Sequence, residues 1–293
     1  MADDSKDQKK NEDSSRRDFV TGFVAAGLAT AGSVSGAGMP VTMTDVEIKT
    51  PDGTCDAAFI HPTSGSHPAV IIWPDAFGLR PSMRDMGKRI AAEGYSVLVP
   101  NPFYRVSKSP QFEDASKISF SNPTDRAKLT PLMASIGADG ACEKDAVAFV
   151  AFLDSQKQVN KSKKIGTQGY CMGGPLVVRT CAAVPDRLGA GGSFHGGGLV
   201  TDKPNSPHLL ASKINAHMYF GIAANDNQRQ PDAKDKLKEA FGSKAEIEVY
   251  PASLHGWCVP DMPKGDDGKA IYNKPDAERA WGHLVALYKA NLA

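Results

Sequence analysis

Gly169-Tyr170-Cys171-Met172-Gly173-Gly174 reads as a sharp turn between a strand and a helix, with a cysteine at its apex. Residues 164–168 upstream look like the end of a short strand, and residues 175–183 downstream can run as a helix. Backbone on such a turn is strained, and the positions two before and two after its apex crowd the neighbouring strand and helix, so glycine is favoured at both. Gly169 and Gly173 stand there. In that setting Cys171 is a candidate nucleophile, whereas Cys55, Cys142, Cys181 and Cys258 lack the context and read as small buried hydrophobes or bystanders.

Outward from the turn, strand-like and helix-like segments alternate. Residues 46–49 and 57–61, around Pro51-Asp52-Gly53, suggest an opening hairpin. The apolar run 69–73 suits a buried central strand ending at Pro74-Asp75. A helix over 82–93 closed by Gly94 and a strand over 96–99 stopped by Pro100 follow. Residues 105–140 are polar, with Pro110, Pro123 and Pro131 interspersed, and read as an excursion or lid over one face. Beyond them the pattern predicts a helix over 142–153, strands at 189–195, 216–222 and 245–250, and helices at 232–241 and 277–290. The expectation is an α/β fold with a mostly parallel central sheet and helices on both faces, in a single domain over 41–293.

Composition narrows the function. The chain has 293 residues, of which 41% are hydrophobic, enough for a sizeable core, and a formal net charge of +1 that offers no global attraction for nucleic acid. No nucleic-acid partner, cofactor or metal is expected: the five cysteines contain no Cys-x-x-Cys pair, and their odd number leaves at least one free thiol. Residues 1–40 stand apart as a polar, disordered lead and a segment resembling a twin-arginine export signal. There Ser15-Arg16-Arg17-Asp18-Phe19-Val20 precedes a small, apolar run. That signal implies the twin-arginine export machinery as a partner and a periplasmic or exported protein; a cytoplasmic one is the alternative.

A thiol nucleophile needs a base, and the base needs an orienting carboxylate. Asp226 follows the strand at 216–222, and His255 follows the strand at 245–250, each where a loop at the carboxyl end of the sheet is expected. The order Cys171, Asp226, His255 is the nucleophile–acid–histidine order of α/β-hydrolases. His195 also ends a strand on that face, as a loop histidine or a substrate contact, and Tyr170 and Trp257 are candidate pocket walls.

With Gly169 to Gly174 at the turn, Asp226, His255 followed by glycine and an aromatic, and Asp75-Ala76-Phe77-Gly78-Leu79 after the central strand, the chain resembles the dienelactone hydrolase family over about residues 44–292. The resemblance implies a Cys171–His255–Asp226 triad, an oxyanion hole from the backbone N–H groups of Met172 and Ala76, and hydrolysis of a small ester or lactone through an acyl-thioester. It also implies a thiol-supporting role for Asp75, which stands where the family's founding members carry glutamate. Gly256 and Val259 replace the serine and arginine that hold a substrate carboxylate in those members, which points away from dienelactone itself. Arg80, Arg105 and Arg126 are the candidates for the missing positive charge. These departures leave one alternative function, a degenerate hydrolase fold that binds a small ligand without turnover. Oligomeric state is not legible.

Overall fold

The edge of the sheet is set by the opening hairpin. Strand β1 (Val41–Thr50) pairs antiparallel with β2 (Gly53–Pro62) from Thr50↔Gly53 to Val41↔Pro62, so both strands are longer than the sequence pattern suggests. This computed structural model describes residues 38–265 and 267–292. Most of the lead and export signal assigned to residues 1–40 therefore lies outside the described residues.

Six further strands complete the sheet: β3 (Ala69–Trp73), β4 (Ser96–Pro100), β5 (Ile165–Tyr170), β6 (Leu188–Phe194), β7 (His217–Ala223) and β8 (Ala245–Tyr250). Their order is β1-β2-β4-β3-β5-β6-β7-β8, with β3 to β8 mutually parallel and β2 alone running against the others. The continuous apolar run of β3 follows from burial on both faces. Side chains alternate across a strand, so Ile71 and Trp73 enter one core while Val70 and Ile72 enter the other.

The first core is closed by α3 (Ala141–Ser155), α4 (Gly173–Ala183) and α6 (Ala233–Phe241), which contribute Phe149, Val177 and Phe241. The second is closed by α1 (Pro81–Ala92) and the C-terminal α7 (Lys274–Asn291), which contribute Met83, Ile90, Leu284 and Tyr288. Helices thus cover both faces, as expected. The chain steps from β3 outward to β4 and then returns to place β5 on the other side of β3. This makes the gap between the carboxyl ends of β3 and β5 the topological switch point, where ligands bind in open α/β sheets.

Two segments differ from the sequence reading. The stretch 105–140 is not irregular throughout, because it contains α2 (Pro123–Gly137). That helix starts where the Asn122 side chain accepts hydrogen bonds from the backbone N–H groups of Thr124 and Asp125, with Pro123 at the first position, and it continues through Pro131. Asp226 lies not on an open loop but on α5 (Ala224–Arg229), a short helix that begins directly at the end of β7.

Candidate active site

Cys171 stands between β5 and α4 with φ of 53°, a left-handed conformation rare outside glycine. The turn is tight enough to forbid side chains on either side. A Cβ on Gly169 would lie 2.2 Å from the Gly173 carbonyl oxygen, and one on Gly173 would lie 2.5 Å from the Trp73 carbonyl oxygen of β3. The two glycines therefore press the turn against the neighbouring strand and bring the thiol to the switch point. Cys171 is partly exposed, while the other four cysteines are buried, and all five are free.

His255 and Asp226 arrive from the adjacent strand ends. The backbone N–H of Ala224 donates to the Ser253 carbonyl (2.8 Å), and that of His255 donates to Asn225 Oδ1 (2.9 Å), which ties α5 to the loop carrying the imidazole. His255 Nδ1 donates to Asp226 Oδ2 at 2.7 Å, and the ring lines the same cleft as Cys171. Burial opposes a charge on His255, but Asp226 and Cys171 together outweigh it and push the imidazole up to about 10.

The thiol and the imidazole line a cleft of about 370 Å³. Its floor includes Asp75 and Ala76, and its apolar walls come from Phe77, Leu254, Met262 and Ile271. Ile118 and Phe120 also line it, so the 105–140 excursion does reach this face. Among the described residues, neither the Ala76 nor the Met172 backbone N–H is bonded to a protein acceptor.

The remaining candidates divide sharply. His195 is fully buried, also left-handed at φ 41°, and its Nδ1 accepts the Cys171 backbone N–H at 3.1 Å. Its ring meets that of His255 edge-on at 4.8 Å. Burial, helped by the charge on His255, holds His195 well below the usual imidazole range, so it is neutral. It supports the cysteine from behind and does not line the cleft.

Asp75 lines the cleft, yet its carboxylate makes no hydrogen bond to the thiol. Oδ1 accepts from the Phe77 N–H and Oδ2 from Arg80, whose guanidinium grips both oxygens at 2.7 and 2.9 Å. Arg80, 4% exposed, spends its other donors on Asp261, so it is not placed to receive a substrate carboxylate. Arg105 is likewise committed, to Asp52 and Asp145, and Arg126 is an exposed residue of α2 outside the cleft. Tyr170 stacks on Phe194 and Trp257 stacks on Tyr250, both in the core and not as cleft walls. Gly256 and Val259 also stay out of the cleft.

Among the cleft residues that escaped the sequence reading are Asn225, signalled only by its place before Asp226, and Lys264, the one lysine or arginine lining the cleft among the described residues, which carried no motif.

The sequence profile described as the dienelactone hydrolase family matches residues 55–292, nearly all of the described fold. The chain belongs to the dienelactone hydrolase family. It is 26% identical over 234 residues to a Synechocystis sp. protein provisionally named carboxymethylenebutenolidase, covering 78% of this chain and 88% of that one. A Methylorubrum extorquens protein of the same provisional name is 26% identical over 292 residues, 94% of this chain and 92% of that one. Among solved structures, a dienelactone hydrolase-like promiscuous phosphotriesterase from metagenomic libraries superposes with a TM-score of 0.69 at 20% identity, covering 88% of this chain and all 100% of that one. The family is one of ester- and lactone-type hydrolases, and this chain is a hydrolase of that kind.

Proposed function

We propose that the protein hydrolyses small carboxylic esters or lactones with Cys171 as nucleophile, His255 as general base and Asp226 as the carboxylate that orients it. The observation that carries this reading is the 2.7 Å bond from His255 Nδ1 to Asp226 Oδ2, with the same ring and Cys171 lining one largely apolar cleft. The Nδ1 bond fixes the ring so that Nε2 is the atom free to exchange a proton.

With the proton of the Cys171–His255 pair already on the charged imidazole, Sγ attacks the substrate carbonyl carbon, and a C–S bond forms while the carbonyl π pair moves onto oxygen. The unengaged N–H groups of Ala76 and Met172 receive that oxyanion. Its collapse breaks the C–O bond, and the leaving alkoxide takes the proton from His255; for a lactone the alcohol stays tethered to the acyl group. Water, losing a proton to His255, then attacks the thioester carbon, the C–S bond breaks, and the bonding pair returns to sulfur while the proton stays on the imidazole. Asp226 remains a carboxylate throughout and stabilises the imidazolium formed in each step. The cleft, near the lower end of typical ligand-pocket sizes, suits a small acyl group.

The test is hydrolysis of p-nitrophenyl acetate by the native protein and by Cys171→Ala, with mass-spectrometric trapping of the acyl-enzyme on Cys171. Activity retained in full by the variant would overturn the mechanism.

The Arg16-Arg17 pair and the apolar run after it support a further proposal, export to the periplasm in folded form. Replacing both arginines by lysine is expected to leave the protein in the cytosolic fraction.

A further inference from the structure

A second cavity lies against the α1–α7 face of the sheet, and at about 560 Å³ it is larger than the Cys171 cleft. Tyr170 and Phe194, the last residues of β5 and β6, form its base, stacked with ring centroids 5.4 Å apart. Met86 of α1 and Trp281 and Leu284 of α7 supply apolar walls.

Three charged residues also line it. Arg89 is committed: it pairs with Glu278, and its guanidinium lies 3.9 Å from the Trp281 ring centroid. Asp85 pairs with Lys88 on its own helix. Asp261 accepts from Arg80 through both oxygens, yet 34% of its side chain remains exposed, so it has acceptor capacity to spare.

An occupant would therefore meet aromatic and aliphatic surface on its body and an open carboxylate at one end. A protonated amine satisfies both demands, and the Tyr272 ring on the same wall can add a cation–π contact. A carboxylate head would face Asp261 and Asp85 and be repelled.

The cavity and the cleft share a partition. Cys258, Pro260, Asp261 and Tyr272 line the cavity, whereas Met262, Pro263, Lys264 and Ile271, from the same stretch of chain, line the cleft. Arg80 crosses between them, with Asp261 on the cavity side and Asp75 on the cleft side. A cation arriving at Asp261 competes with Arg80 for the same two oxygens, and Arg80 is the group that holds Asp75 in place.

We propose that this cavity is an effector site for a small apolar amine, with its protonated nitrogen on Asp261, and that its occupation alters the Cys171 cleft through the shared partition.

Calorimetric titration of the full chain with 2-phenylethylamine tests the site, with 3-phenylpropionate as the charge-reversed control. Saturable binding of the amine is expected in native protein and in protein carboxamidomethylated at Cys171. Binding should be weaker by about tenfold or more for the carboxylate, and for the amine with Met86→Trp, which fills the cavity from a half-buried position on α1. No saturable binding, equal binding of the carboxylate, or loss of binding on Cys171 modification would overturn the assignment. Photolabelling with 4-azidophenethylamine gives a reading that needs no variant: adducts on α1, α7 or Tyr272 support the site, and adducts confined to residues 118–120 or 254–255 overturn it. The coupling is read by the rate at which iodoacetamide modifies Cys171, expected to change by about fivefold at saturating amine. An unchanged rate with proven binding overturns the coupling. None of these measurements needs ester turnover, so their failure is distinct from failure of the hydrolytic mechanism.

Discussion

Two aspartates stand at carboxyl ends of parallel strands in this molecule, Asp75 after β3 and Asp226 after β7, and their partners make them opposites. Asp75 is 1% exposed and is gripped through both oxygens by Arg80, a cation that never gives up its charge. Asp226 keeps 12% of its side chain exposed and meets, besides the exposed Arg229 at 3.3 Å, the His255 imidazole at 2.7 Å, a group that can gain and lose a proton. The first carboxylate is neutralised permanently and holds loops together; the second faces a titratable partner and can take part in proton transfer. At this sheet edge the identity of the partner, more than the position of the acid, separates structural from chemical work.

The comparison breaks if both aspartates respond alike to loss of function. Asp226→Asn is expected to cut kcat for a small ester by about 10⁴-fold while leaving the fold intact, because the amide no longer fixes the Nδ1–H tautomer. The same variant reports on His255. With its folded pKa raised to about 10 above an ordinary 6.5, the stability His255 contributes is fully present below pH 6.5 and is lost as pH rises through about 10. The urea midpoint of the native protein should fall across that window, and fall less in Asp226→Asn; parallel curves would refute the role assigned to this pair.

Arg80→Met tests the other aspartate. It leaves Asp75 buried without its cation, and a cost of about 3–5 kcal/mol in urea unfolding is expected. A stability near that of the native protein would mean that Asp75 is less dependent on Arg80 than the bidentate contact implies.

His195 sharpens the contrast from within the candidate site, since it touches the Cys171 backbone and not its thiol. His195→Phe removes one of the two acceptors of the Cys171 N–H, leaving the Phe194 carbonyl, and a shift of the turn should lower kcat by about 100-fold with little change in KM. His195→Asn, whose side-chain oxygen can accept the same N–H, should recover part of that loss. A change confined to KM would make His195 a substrate contact after all.

What the sequence disclosed follows the same division. Cys171, Asp226 and His255 were legible because each occupies a strand end, a local pattern of apolar run and break that one segment displays by itself. The fates of Arg80, Tyr170 and Trp257 were not. Arg80 is claimed by Asp261, 181 residues away along the chain, and no local pattern announces that pairing. Tyr170 turns into the core by strand alternation and stacks on Phe194 of the neighbouring β6, while Trp257, in the loop after β8, stacks back on Tyr250; both contacts are settled only once the sheet and its loops assemble. The helix α2 was hidden by Pro131 and a polar surface, although Asn122 followed by Pro123 is a local start signal that the prolines overshadowed.

The smallest expected effect concerns Lys264, the one lysine or arginine lining the cleft among the described residues. Lys264 is exposed, and its partition neighbours Met262 and Ile271 are apolar, so an anionic substrate gains there only a solvent-screened attraction of about 0.2–1 kcal/mol. Lys264→Met should therefore raise KM for an ester carrying a free carboxylate by about 1.4- to 5-fold and leave a neutral ester of the same size unaffected. The difference should shrink as salt is added. Equal effects on both esters would assign Lys264 to the shape of the cleft. A far larger effect on the anionic ester would mean that substrate binding closes the cleft over Lys264 and removes it from water, because only a desolvated ion pair could discriminate that strongly.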